Sequence, residues 1–282
     1  MNTQDTLVEM ILIPAGTARI GSEKGKPDEA PLFEIEMEAF CLDRHPVTNK
    51  QFAYFVKQSG FITDAEKFGN ASVLDEKTGY WHLIQGANWQ YPLGPDKTSA
   101  KADHPVTQVS WQDAHDYCAF YGKVLPSEIQ WEYAARNARK ESPEYGFGDS
   151  ILKKGMYLAN VWQGQFPVKN SGEDGYRYTS PVGVFGTTPL GLTDMIGNVW
   201  EWTQDWYRSY SDRDRPFNAA RDTQKVMRGG SFLCEPHVCH GFRVSARSAA
   251  TPDTSLMHVG FRCAFQGIQD RPAWIKRDTK QR

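Results

Sequence analysis

Gly191-Leu-Thr-Asp-Met-Ile-Gly-Asn-Val-Trp-Glu-Trp202 puts a tight turn, two carboxylates and two indoles into one short run. Asp194 and Glu201 flank the turn at Gly197. Oxygen-rich turns of this kind suit hard cations such as Ca²⁺, although an ordinary polar turn is built from the same residues. Beyond it, the string Trp200, Trp202, Trp206 and Tyr207 reads first as core packing. A turn that runs straight into core aromatics points to a core wrapped in irregular backbone. The whole chain agrees: 9 Trp, 12 Tyr and 15 Phe stand beside 24 Gly and 16 Pro, with a mean hydropathy of −0.58. That composition suits neither a helical bundle nor a doubly wound sheet, and the fold class it indicates is α+β, low in regular secondary structure.

Working outward, three helices are legible from their starts. Thr48 is the N-cap of the first, which runs through Gln51-Phe-Ala-Tyr-Phe-Val56 to a stop at Gly60. Ser110 opens the second, with Asp113 in its first turn and Ala114, Tyr117, Cys118 and Tyr121 on one apolar stripe, so Cys118 faces the core. Ser127 and Gln130 form a capping-box pair at the start of the third. Met10–Ile13, Phe33–Met37, Val226–Phe232 and Gly260–Phe265 read as brief strands. No repeat or linker divides the chain, so one domain is expected, its core about 7–267 with a charged tail over 268–282, and with long loops at about 65–110 and 140–190.

The 282 residues carry a net charge of −2 with basic side chains scattered, which gives no footprint for nucleic acid or an anionic membrane. No stretch reaches the roughly 20 apolar residues of a membrane helix, and no leader is visible at the start, so a cytoplasmic location is the expectation. Five cysteines are too few for a disulfide scaffold, and their odd number leaves at least one without an intrachain partner. Cys41 reads as a buried free thiol.

Cys234 and Cys239 bracket Glu-Pro-His-Val after Arg228-Gly-Gly-Ser231. Pro236 argues against an uninterrupted helix and for a bend that brings the sulfurs together. With no further Cys or His at zinc-finger spacing the pair makes a poor structural zinc site, but it suits soft Cu(I); a disulfide or two unrelated thiols fits the same spacing. His237 and His240 flank the pair as candidate ligands or proton carriers, or as plain surface histidines. Asn160-Val-Trp-Gln-Gly164 and Asn170-Ser-Gly-Glu-Asp-Gly-Tyr176 make a second oxygen-rich loop without the spacing of an EF-hand. There is no P-loop and no GxGxxG after a strand.

Together these stretches resemble the formylglycine-generating enzyme (sulfatase-modifying factor) family. The likeness runs from Val8 almost to Gln266 and is strongest at Gly122–Arg136, Gly191–Trp202, Arg228–Cys234, Arg247–Asp253 and Gly260–Cys263. Several of these blocks mark only the wider superfamily; the Cys234/Cys239 pair and Asn160–Tyr176 are similar to the enzymes proper.

The resemblance implies an irregular C-type-lectin-related fold and a monomeric, copper-dependent oxidase that uses O₂ to convert a cysteine of an extended sulfatase polypeptide, within Cys-x-Pro-x-Arg, to formylglycine. It assigns Cu(I) to Cys234 and Cys239, with Ser231 beside them. One Ca²⁺ goes to Asn160, Val161, Asp174 and Tyr176, and another to Asp194, Gly197, Val199 and Glu201. Ser231 and Trp200 are expected to shape an oxygen pocket, and Arg247 to hold a turn or the substrate backbone. Cys118 and Cys263 match positions that form a disulfide in some members. The chain departs from the family at Glu235–Val238, His240–Arg243 and His258. Those departures keep two other readings in view: a related oxidase of a natural-product or siderophore precursor, and a noncatalytic lectin-like binding module.

Overall fold

The computed structural model describes residues 8–266. The charged tail expected over 268–282 lies outside them.

Among the described residues all four α-helices start on a capping box in which side chain and backbone satisfy each other's orphan N–H groups. The caps are Thr48 for Asn49–Ser59, Thr63 for Asp64–Phe68, Ser110 for Trp111–Phe120 and Ser127 for Glu128–Ala135. The first helix ends where Gly60 takes a left-handed φ of 69° and donates to Val56 O. Three of these helices are the ones expected; the short Asp64–Phe68 helix stands where a loop was expected.

Two sheets hold the centre. In one, Phe40–Asp43 pairs antiparallel with Met10–Ile13 on one side and Ala264–Phe265 on the other, so both ends of the described chain meet. In the other the order is Arg247–Ala250, Lys225–Arg228, Trp200–Trp206, Val259–Gly260, the last pair parallel. Among the described residues four two-stranded ribbons complete the set, one of them the hairpin Asn70–Asp75/Tyr80–Gln85 inside the expected 65–110 loop.

Two expected strands are cut short. Val226–Phe232 stops at Arg228 because Gly229 and Gly230 take φ of 96° and 71°. At Gly230 a Cβ would lie 2.6 Å from Phe242 N, so only glycine allows this approach. Gly260–Phe265 is interrupted because Arg262 turns inward and Cys263 N donates to Asp43 Oδ2 at 2.9 Å, not to a strand.

The core is aromatic, as composition required. Trp131, Trp162, Trp202, Tyr117, Tyr133, Phe52 and Phe55 are all buried, and Phe52 stacks on Tyr117 at 5.8 Å. Buried indole N–H groups need acceptors; Trp131 finds Glu201 at 2.8 Å and Trp202 finds Val109 O at 3.1 Å. Cys118 and Cys263 form a disulfide inside this core, with Cα atoms 5.7 Å apart, and Cys41 is buried outside the disulfides.

Candidate active site

The Gly229–Gly230 turn directs the chain from the central sheet into Ser231–Cys234. Phe232 N donates to Asn198 O, and Cys234 O accepts from Trp162 N at 3.0 Å, which pins the segment between the Gly191–Trp202 turn and the Asn160 loop. After Cys234 the chain makes a single helical turn. Glu235 O accepts the N–H groups of Val238, Cys239 and His240, and the Glu235 carboxylate accepts His237 N at 3.0 Å. That one turn, with Pro236 at its start, brings the Cα atoms of Cys234 and Cys239 to 5.5 Å, and the two sulfurs are paired as a disulfide. The bend expected from Pro236 is present.

Cys234 is buried and Cys239 half-buried. Ser231 Oγ lies 4.0 Å from Cys234 Sγ, and Gly241 N donates to Cys239 Sγ at 3.2 Å. A Cβ on Gly241 would meet Trp200 Cη2 at 2.6 Å and Cys234 Sγ at 3.0 Å, so the Trp200 indole and Cys234 press against the same glycine. Ser231, Trp200, Cys234 and Cys239 therefore form one cluster, and Gly241 is a member the sequence reading passed over.

The neighbouring residues divide differently. His237 is exposed. His240 is half-buried, accepts or donates at 2.9 Å with Tyr145 OH, and burial, helped by Arg243, holds its imidazole down to about 4. Arg247 lies outside the thiol cluster. Its guanidinium makes a bidentate pair with Glu128, donates to Asp28 O and Arg208 O, and covers the Tyr210 ring at 4.1 Å. Four of its five N–H groups are so engaged and its side chain is 1% exposed, so here it holds a turn.

The two oxygen-rich sets also part company. In the first, Asp174 accepts from Val161 N at 3.0 Å and from Tyr176 N at 2.8 Å, and burial raises its carboxyl above the usual range. The Gln163 amide nitrogen bridges Asp174 Oδ2 and Val161 O, where a cation would neutralise the same two oxygens. Asn160 Oδ1 is buried without a partner, while Asn160 Nδ2 donates to Tyr178 O. An orphaned amide oxygen on the residue before Val161, together with the Val161 carbonyl and the Asp174 carboxylate that Gln163 bridges, is a donor set that fits Ca²⁺.

The second set does not fit. Asp194 already accepts from Gly183 N, Thr193 Oγ1 and Asn198 Nδ2, and Gly197 N donates to Gly229 O. Glu201 takes the Trp131 indole N–H and a bidentate Arg262 guanidinium at 2.7 Å, both partners fully buried. Val199 is a buried core residue beside them. A guanidinium occupies the charge position that a calcium ion would need, so the cation expected at Asp194, Gly197, Val199 and Glu201 is replaced by an internal ion pair. Among the described residues no three His, Cys, Asp or Glu side chains converge as a metal site. The thiol pair is a two-sulfur donor set, which fits Cu(I) once reduced.

A cavity of about 350 Å³ shares Phe232, two residues before Cys234, and is walled by Tyr176, Tyr178 and Met257. No described helix is long and apolar enough to cross a membrane.

Residues 1–266 match the family model of the sulfatase-modifying factor enzyme 1-like domain. The chain is 39% identical to the formylglycine-generating enzyme of Thermomonospora curvata over 93% of its own length and 94% of that protein. It is 35% identical to the inactive C-alpha-formylglycine-generating enzyme 2 of Bos taurus, over 91% and 88% of the two chains. The structure superposes on that of PvdO from Pseudomonas aeruginosa with a TM-score of 0.69 at 24% identity, covering 91% and 94% of the chains, which shows a shared fold.

Proposed function

Because this chain belongs to the sulfatase-modifying factor enzyme 1-like family, we propose that it converts a cysteine of an extended, sulfatase-type polypeptide bearing Cys-x-Pro-x-Arg into Cα-formylglycine. The observation that carries the reading is the cluster of Cys234, Cys239, Ser231, Gly241 and Trp200. It sets a pair of cysteines with Cα atoms 5.5 Å apart against a buried wall, and the relatives named for this activity are similar along almost the whole chain.

The balanced reaction is R–CH₂–SH + O₂ + 2 e⁻ + 2 H⁺ → R–CHO + H₂S + H₂O. The Cβ is oxidised, O₂ is reduced, and an external thiol supplies the remaining two electrons. That same reductant must first open the Cys234–Cys239 disulfide. Cu(I) held by the two thiolates would supply a soft position for the substrate sulfur and an electron route to O₂. The chain's own residues do the rest. Gly241 N–H stabilises the Cys239 thiolate, the Trp200 indole excludes water from the Cys234 side, and Ser231 Oγ stands ready to hold a small polar group there. Calcium at Asn160, Val161, Asp174 and Tyr176 would lock the loop that carries Trp162, whose N–H fixes Cys234. We place the working enzyme as a monomer in the cytoplasm.

The test is mass spectrometry of a Cys-x-Pro-x-Arg peptide incubated in air with the Cu(I)-loaded chain and a thiol reductant, with Cys234→Ser and Cys239→Ser as controls. Aldehyde made by the parent and by neither variant supports the reading; turnover retained in either variant overturns it. The inactive bovine relative shows that this fold also occurs without the activity. A chain that binds no Cu(I) through two sulfurs belongs with that noncatalytic reading, and one that binds it but leaves the peptide unchanged points to an oxidase of another precursor.

A further inference from the structure

Cys239-His-Gly-Phe-Arg243 leaves the thiol cluster through a kink that its own backbone disfavours. The N–H groups of Val238, Cys239 and His240 converge on Glu235 O, and His240 then takes a left-handed φ of 44°. For a residue with a Cβ that conformation is strained, and it persists only where the surroundings hold it. Beyond the kink the chain turns back on itself, and Gly241 N donates to Cys239 Sγ at 3.2 Å.

A hydroxyl and two rings hold the kink. Tyr145 OH meets His240 Nε2 at 2.9 Å. The imidazole stands edge-on to Phe242 with ring centroids 5.1 Å apart, and Phe242 in turn lies 5.6 Å from the Tyr145 ring. Glu144 Oε1, 3.7 Å from His240 Nε2, is too far for a hydrogen bond. Tyr145 is itself fixed in place. Its neighbour Glu144 accepts Val244 N at the main-chain carbonyl, 3.0 Å away, and Asn137 Nδ2 donates to Gly146 O at 2.8 Å, which ties the segment to the end of the Glu128–Ala135 helix. A fixed phenol therefore grips the one strained residue between Cys239 and Gly241.

We propose that Tyr145 and His240 form a latch that positions Cys239: the Tyr145 hydroxyl holds the left-handed bend of His240, the bend keeps the Gly241 N–H on Cys239 Sγ, and that N–H tightens the hold of the sulfur pair on Cu(I). The inference rests on the copper-bearing thiol pair proposed above. Both residues act through the Gly241 amide, as positioning residues. A hydrogen bond to an ionised acceptor is about twice as strong as one to a neutral acceptor. The latch therefore favours a metal-bound thiolate over the disulfide, whose sulfurs are neutral.

Tyr145→Phe removes the hydroxyl and keeps the ring. In the metal-free chain with its disulfide intact, amide exchange at Gly241 should then quicken by about fivefold, the weight of one hydrogen bond. In the reduced chain, Cu(I) affinity read by competition with a chromogenic chelator should fall by about the same factor. Adding His240→Gly to Tyr145→Phe relieves the strain without restoring the grip, because glycine adopts a positive φ at no steric cost. The double variant should recover most of the loss in both readouts. A hydroxyl that only supported packing predicts the opposite, since the second change also removes the ring that packs on Phe242. Should the glycine variant fail to fold, His240→Asn takes its place, as asparagine tolerates the left-handed region and is too short to reach Tyr145.

Conversion of the Cys-x-Pro-x-Arg peptide by the parent, with unchanged Gly241 exchange and Cu(I) affinity in Tyr145→Phe, overturns the latch and leaves the activity standing. Faster exchange without weaker Cu(I) binding also overturns it, because the bend then does nothing for the sulfur pair. So does a loss that His240→Gly or His240→Asn deepens. Loss and recovery of Cu(I) affinity in a chain that leaves the peptide unconverted supports the latch and sinks the activity.

Discussion

Replacing Glu201 with Gln tests whether its carboxylate answers a guanidinium or a calcium ion. Glu201 accepts three N–H groups, Trp131 Nε1 at 2.8 Å and Arg262 Nε and Nη2 at 2.7 Å each, and neither charged side chain is exposed. Arg262 cannot swing away to follow the change, because its other N–H groups donate to the carbonyls of Asp43, Arg44, Thr193 and Asp194. Glu201→Gln therefore leaves a buried cation facing an amide. Breaking a buried pair in this way costs about 3–5 kcal/mol, a large part of the roughly 5–15 kcal/mol that holds a typical domain. Urea unfolding followed by tryptophan fluorescence measures it, run once in a calcium chelator and once in excess Ca²⁺. The same loss is expected in both. Arg262→Lys, which keeps the charge but loses the fork, should cost less than Glu201→Gln and again ignore calcium. A loss under about 1 kcal/mol, or a calcium-dependent stabilisation that disappears with Glu201, would refute the internal ion pair and restore the cation.

Gly241→Ala would force a methyl against Trp200 and Cys234 Sγ; it should destabilise by about 1–3 kcal/mol and weaken Cu(I) binding, read by competition with a chromogenic chelator. Asp174→Asn should abolish any rise in Tm produced by Ca²⁺ in the parent, since the first oxygen set loses its only carboxylate; an undiminished rise would place calcium elsewhere. Asp113 is buried and caps two helices at once, accepting Ser110 N and Asp64 N. Burial lifts its carboxyl to about 7, with the nearby Asp64 charge adding to the rise. A folded-state value above the unfolded one means that this group's stabilisation is present below about pH 4 and lost as pH rises toward 7. Relative to the parent, Asp113→Asn should remove a slope on the order of 4 kcal/mol across that window, measured by urea midpoints at stepped pH.

Helix starts were legible in the sequence because a cap is a local device. Thr48, Ser110 and Ser127 each meet a partner three residues on, so spacing alone reveals them. The short helix at Asp64 has the same device, Thr63 with Glu66, and was there to be read. The bend at Cys234–Cys239 was legible for a similar reason: Pro236 and a five-residue separation leave little choice but one turn. The hairpin at residues 70–85 was missed although Asp75-Glu-Lys-Thr-Gly79 offers a turn, because Tyr80–Gln85 is rich in apolar side chains yet almost wholly exposed, so its strands show no clean alternation.

The sequence by itself determined an aromatic core, capped helices, a paired-thiol motif and the family. Each of these depends on composition or on residues close together in the chain. Which carboxylates remain open to a metal was decided only in three dimensions. Glu201 and Asp174 both sit in Gly-rich, oxygen-bearing stretches and look alike in the chain. Glu201 is answered by Arg262, 61 residues away, and Asp174 by neutral amides. Arg247 left the site for the same reason, claimed by Glu128 at a separation of 119. A buried charge must be paired wherever the fold brings its partner, and no local pattern records that distance.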